Sequence, residues 1–255
     1  MCLIFLSINQ HPNYKLIIAA NRDEFYNRNT APATYWQDHP SILGGRDLEA
    51  HGTWMAMNTS GKISMVTNYR DPKNNNPKAP SRGQLVSEFL LNDQLPLDYL
   101  KKVEQVAPQY NGFNLVVGDV NQLYYLSNYK KGIDKLDTGL HGLSNHLLDT
   151  PWPKVANGKI QLQSILAKDD ISTDELFRFL NNEQRAPDSK LPETGIGIAR
   201  ERALSSMFIK TNGYGTRCST VILINKQNQV EFTERVYDLS TFEFTDRVYQ
   251  FAVSS

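Results

Sequence analysis

Apolar residues along this chain fall into short runs separated by turn residues, and their spacing predicts more strands than helices. Leu3-Ile4-Phe5-Leu6-Ser7-Ile8 is nearly continuous, with β-branched and aromatic members, which predicts a strand buried on both faces. His11-Pro12-Asn13 reads as a turn, and Lys15 to Ala20 as the hairpin partner. The charged string Asn21-Arg22-Asp23-Glu24 falls where that strand is expected to end, followed by an irregular stretch to about Glu49. A second hairpin spans 53–58 and 62–67 around Thr59-Ser60-Gly61, and a third spans 113–118 and 122–126. Further strands are predicted at 139–144, 219–224, 229–235 and 247–253. Helical spacing appears at 83–91, 97–106, 152–166 and 173–180, with Ser172 or Thr173 as a cap for the last. Residues 71–80 and 184–200 are polar and rich in Pro, Asn and Gly, and read as loops.

Hairpins imply antiparallel sheets, and strands apolar on both sides imply sheets covered on both faces. Two stacked antiparallel sheets with helices outside meet both conditions. No repeat or linker divides the chain, so residues 1–255 are expected to form one domain of the α+β class.

Composition narrows the function classes. Lys plus Arg and Asp plus Glu each total 27, so the formal net charge is zero and there is no broad basic footprint for nucleic acid. No apolar run approaches the roughly 20 residues of a membrane-spanning helix. The apolar start has no basic flank and is too short for a signal peptide. With only Cys2 and Cys218, a disulfide framework is not expected, and two free thiols suit a reducing cytoplasm. The five histidines show no metal-binding spacing, so neither metal nor cofactor is expected. The expected partner is a small-molecule substrate or a hydrophobic ligand.

Cys2 is the best placed nucleophile. Once Met1 is removed, the chain begins with a thiol and a free α-amine on one residue. An α-amine has a pKa of roughly 7.7–8 and can take the thiol proton near neutrality. The competing reading is that Cys2 is a small buried hydrophobe. Antiparallel pairing of the first two strands would bring Arg22 close to Cys2, where its charge favours the thiolate; alternatively, residues 22–24 form a surface ion network. Asn68 and Asn145 each end a predicted strand and either donate to an oxyanion or serve turn geometry. Arg217, after Gly213-Tyr214-Gly215-Thr216, is a candidate for binding a substrate carboxylate or phosphate, although its glycines also suit a plain turn.

Several of these segments occur together in a recognisable order. They are the Met-Cys start, Ile17-Ile18-Ala19-Ala20 running into Asn21–Glu24, Gly52-Thr53-Trp54, Thr67-Asn68-Tyr69 and Tyr110-Asn111-Gly112-Phe113-Asn114-Leu115. Gly142-Leu143-Ser144-Asn145, Thr150-Pro151-Trp152, Gly213 to Arg217 and Phe232-Thr233-Glu234-Arg235 follow. Across nearly its whole length the chain resembles the NRDE family, also called the transport and Golgi organisation protein 2 family. That family is similar to the cysteine-type N-terminal-nucleophile hydrolases, which include the penicillin V acylase and bile salt hydrolase group. The resemblance implies a four-layer α-β-β-α sandwich and attack by Cys2 on a small non-peptide amide or thioester. It implies Arg22, Asn68, Asn145 and Arg217 as further site residues. The acylases carry an aspartate three residues after the matching arginine; here Phe25 stands there, and Asp23 is the expected substitute. The family's links to lipid, acyl-CoA and haem metabolism imply the alternative of a non-catalytic carrier for haem or an acyl ligand.

Overall fold

A computed structural model describes residues 2–253. The chain runs through β1 (Cys2–Ile8), β2 (Tyr14–Phe25), β3 (Thr30–Tyr35), β4 (Ile42–Asp47), β5 (Met55–Asn58) and β6 (Lys62–Asn68) before its first helices, α1 (Gly83–Leu91) and α2 (Pro96–Val106). Then come β7 (Phe113–Asp119), β8 (Leu123–Ser127), β9 (Asp134–Lys135) and β10 (Gly139–Leu143), followed by α3 (Pro153–Leu166), α4 (Thr173–Leu180) and α5 (Ile198–Ala203). The last strands are β11 (Lys210–Thr211), β12 (Tyr214–Asn225), β13 (Gln229–Tyr237) and β14 (Phe244–Ala252).

The strands form two seven-stranded sheets with antiparallel pairing throughout. One has the order β10-β1-β2-β12-β13-β14, with β11 on β12; the other runs β3 to β9 in sequence. Side-chain alternation divides each central strand between two cores. Ile4, Leu6, Ile18 and Ala20 meet Met55, Met65 and Val116 between the sheets. Leu3, Phe5, Ile17 and Ala19 pack instead on Leu162, Leu176 and Phe177 of α3 and α4. Phe89 and Leu100 of α1 and α2 cover the second sheet through Leu115 and Val117. The result is an α-β-β-α arrangement of four layers, and the continuous apolar runs follow from it, since neither face of an inner strand meets water. Ser172 caps α4 by accepting from the Glu175 N–H at 3.1 Å. Among the described residues, no helix is long and apolar enough to cross a membrane.

Three expectations are corrected. The stretch from 25 to 49 holds β3 and β4. Pro32 falls within the register shift of the edge strand β3, and edges and bulges are where strands tolerate proline. Gly44 and Gly45 lie inside β4 because neighbours fill the space of a side chain. A Cβ on Gly44 would stand 2.5 Å from the Ala56 Cβ, and one on Gly45 2.1 Å from the Trp54 ring. Second, β2 continues through Phe25, so the Asn21–Glu24 string lies within the strand and not at its end. Its partner β12 begins at Tyr214 and makes room for the extra length with a bulge at Arg217. Third, the 184–200 loop passes into a short helix, α5.

The turn after β10 presents Asn145 and closes at Asp149, which adopts φ 58°. Asp149 accepts from the Gly142 N–H at 2.9 Å and from His141 Nδ1 at 2.8 Å. Burial opposes the Asp149 charge, but His141, Lys159 and the Gly142 N–H hold its pKa down to about 2; the Asp149 hydrogen bond raises that of His141. The Asp149 contribution is therefore present above about pH 3.9 and lost as pH falls. The His141 contribution is present below about pH 6.5 and lost as pH rises through the raised value. Asp149→Asn keeps a residue type that accepts positive φ. The difference in thermal midpoint between wild type and this variant is expected to be largest between about pH 4 and 6.5 and to shrink on both sides.

Candidate active site

The register of β1 and β2 sets the site. Cys2 pairs directly with Arg22, and Arg22 pairs on its other side with Cys218 of β12. Cys2 and Arg22 share the face of Ile4 and Ala20, so they point between the sheets at the open end of the central core. The Arg22 guanidinium lies over the Trp54 ring at 4.2 Å from its centroid. Such a contact contributes about 2 kcal/mol when desolvated, as here, where Arg22 is 6% exposed. Trp54 takes this position because Gly45 has no side chain beneath it.

A cavity of about 300 Å³ opens in front of this pair, bordered by Cys2, Arg22, Glu24, Trp54, Asn68 and Arg82. Burial pushes the Cys2 thiol pKa up; Asp23 and Glu24 add to that, and Arg22 pulls it back. Glu24 lies on the same face of β2. Burial opposes its charge, but the Phe25 N–H, Arg22 and Arg28 help hold its carboxyl below the ordinary range.

Cys2, Arg22, Asp23 and Asn68 all border this cavity. Asp23 presents its carboxylate to the opposite face of β2, where Oδ1 accepts from the Thr216 hydroxyl at 2.7 Å. Burial raises the Asp23 pKa, and the nearby ammonium of Lys154 opposes the rise. Lys154 is itself buried, donates to the Leu204 carbonyl at 3.1 Å, and has its pKa lowered to about 8 by desolvation.

Asn145 lies behind the lining. Its amide donates to the Asn68 carbonyl at 3.0 Å, while its own carbonyl accepts from the Arg70 N–H at 2.8 Å. Thr67 also donates to the Ser144 carbonyl at 2.7 Å, so the 144–145 turn ties the end of β6 to the sheet that carries Cys2. A buried ion pair, Arg70 to Glu201 at 2.7 Å, anchors this corner. Arg217 is not in the lining either. Its Nη1 donates to the Phe25 carbonyl at 2.9 Å and to that of Arg28, bracing the turn that supports Arg28. Phe25 is exposed and packs edge-on against Tyr214.

Sequence reasoning missed Arg28 and Arg82 in the lining and Lys154 behind it. Arg82 had no local signal, since it reaches the site only through the packing of α1. Among the described residues, no group of three or more His, Cys, Asp or Glu side chains could hold a metal. Arg22→Gln is expected to move the pH profile of Cys2 alkylation to higher pH, because it removes the positive charge that favours the thiolate.

The chain is 37% identical to a mouse Transport and Golgi organization 2 homolog, with 100% of both chains covered. It is likewise 37% identical to the human homolog over the whole of both chains. A Drosophila melanogaster relative is 29% identical, covering 92% of this chain and 91% of its own. Among solved structures, it is similar to a conjugated bile acid hydrolase from Clostridium perfringens, solved as a cysteine-to-alanine mutant. That match has a TM-score of 0.51 at 10% identity and covers 100% of this chain and 98% of the other. At this identity the likeness is one of fold, two stacked antiparallel sheets covered by helices. The sequence model of one family matches residues 1–239, and with it the whole-length relatives agree: this chain belongs to the Transport and Golgi organisation 2 family.

Proposed function

We propose that this protein is an N-terminal cysteine hydrolase that cleaves a small non-peptide amide or thioester. The observation that carries the reading is the pairing of Cys2 with Arg22 at the mouth of a cavity that Asn68 also borders. The fold shared with a conjugated bile acid hydrolase supports the same reaction class.

In this mechanism Met1 is removed, and the free α-amine of Cys2 accepts the thiol proton. Arg22 offsets the cost of holding a thiolate in a buried position. The sulfur attacks the carbonyl carbon, and the Asn68 side-chain amide donates to the oxyanion that forms. Asn145 acts as a positioning residue through the Asn68 carbonyl, and Arg217 positions the Arg28 turn. The carbon–nitrogen or carbon–sulfur bond breaks as the ammonium returns its proton to the leaving group. A water molecule, deprotonated by the amine, then cleaves the thioester on Cys2 and releases the acid. Asp23, whose carboxylate lies behind β2 on Thr216, takes the place of the acylase aspartate missing at Phe25 and acts on the protonated amine through its charge, across the strand.

The charged lining suits a small polar substrate better than haem or a long acyl chain. Free Cys2 and Cys218 suit a reducing compartment such as the cytoplasm.

The test is hydrolysis of a panel of small N-acyl amides and acyl thioesters by the protein purified with its native start. Cys2→Ala is expected to lower the rate on any accepted substrate by about a thousandfold or more. Equal rates in wild type and variant would refute the mechanism.

A further inference from the structure

The cavity before Cys2 carries more positive charge than this mechanism uses. Three arginines, Arg22, Arg28 and Arg82, border it with three acidic residues, Asp23, Glu24 and Asp47, of which Asp23 turns its carboxylate to Thr216 on the far face of β2. Arg28 is committed to Asp47 at 2.7 Å and to Glu49 at 3.4 Å. Arg22 serves the thiol from its seat on Trp54. That leaves Arg82, which comes from the layer of α1 and α2.

The backbone beside Arg82 is fixed by close contact. A Cβ on Gly52 would stand 2.5 Å from the Gly83 carbonyl carbon, and the Thr53 N–H donates to the Gly83 carbonyl at 3.2 Å. The Arg82 guanidinium donates from Nη1 to the Gly112 carbonyl at 3.1 Å. Among the described residues, that carbonyl is its one hydrogen-bond acceptor. A guanidinium has five N–H donors in a planar fork, and those that lose water need acceptors. Burial lowers the Arg82 pKa, the Glu24 carboxylate opposes this, and the Arg28 charge adds to it. A partly desolvated, under-satisfied cation therefore borders the same compact cavity as the thiol.

We propose that Arg82 binds an anionic oxygen group of the substrate, a carboxylate or a phosphate, and so selects acyl compounds that carry this charge near the scissile carbonyl. The assignment rests on Cys2 being the nucleophile. A planar fork matches both groups with paired hydrogen bonds, and a cavity of about 300 Å³ keeps the charge within a few bonds of the reacting carbon.

The experiment uses two alkylating agents that attack the same thiolate. Iodoacetate is anionic and iodoacetamide is neutral, so their rate ratio at one pH cancels the thiolate fraction. Alkylation is read on the Cys2 peptide by mass spectrometry. Arg82→Gln is expected to lower the iodoacetate-to-iodoacetamide ratio about tenfold, and Arg82→Lys to keep most of it. Slowing of iodoacetamide by acetate or by inorganic phosphate, lost in Arg82→Gln, identifies which anion the site takes. A ratio unchanged by Arg82→Gln, with Cys2 still reactive to iodoacetamide, overturns this assignment alone. A Cys2 that reacts with neither reagent removes the nucleophile, and the Arg82 assignment with it.

Discussion

The site depends on one cross-strand pair, Cys2 opposite Arg22. A strand pair buried on both faces has little freedom of register, because a slip of one residue would move every side chain to the other face. Ile4 and Leu6 face the central core while Leu3 and Phe5 face the helices, so the apolar pattern locks β1 against β2 along its length. The thiol and the guanidinium are held together at the end of that lock. Their position is a consequence of packing far from the cavity.

The charges at the site are arranged by face. Arg22 and Glu24 project between the sheets with the thiol, while Asp23 projects behind β2 toward Thr216 and Lys154. The buried ions on the rear face have specific partners, as ions removed from water require. Cys218, on the far side of Arg22, is fully buried, and its thiol is held neutral by desolvation and by the Glu234 charge. The two cysteines flank the same arginine and differ in setting: Cys2 borders the cavity, and Cys218 is sealed in the core.

Much of this was legible in the sequence where a residue's environment follows from its own strand. The continuous run 3–8 revealed a strand covered on both faces, and the hairpin to residues 15–20 brought Arg22 toward Cys2. The pattern failed at β4, where Gly44 and Gly45 look like turn residues and are needed because Ala56 and Trp54 occupy their side-chain space. At Asn145 and Arg217 the sequence leaves a substrate-facing and a turn role open, and cannot show that Asn145 braces Asn68 and Arg217 braces the Phe25–Arg28 turn, through bonds to backbone atoms 77 and 189 or more residues away. Arg82 was invisible for a similar reason: its place beside Cys2 comes from the packing of one layer on another. Contacts that cross layers leave no local period to read.

The proposed chemistry needs the α-amine of Cys2 to be free, and the intact mass of the natively expressed protein tests this most directly. The mechanism predicts a chain that begins at Cys2, lighter than the full sequence by one methionine residue. A mass that retains Met1 in the purified, folded protein would contradict it, because the base that the thiol needs would then be tied up in a peptide bond.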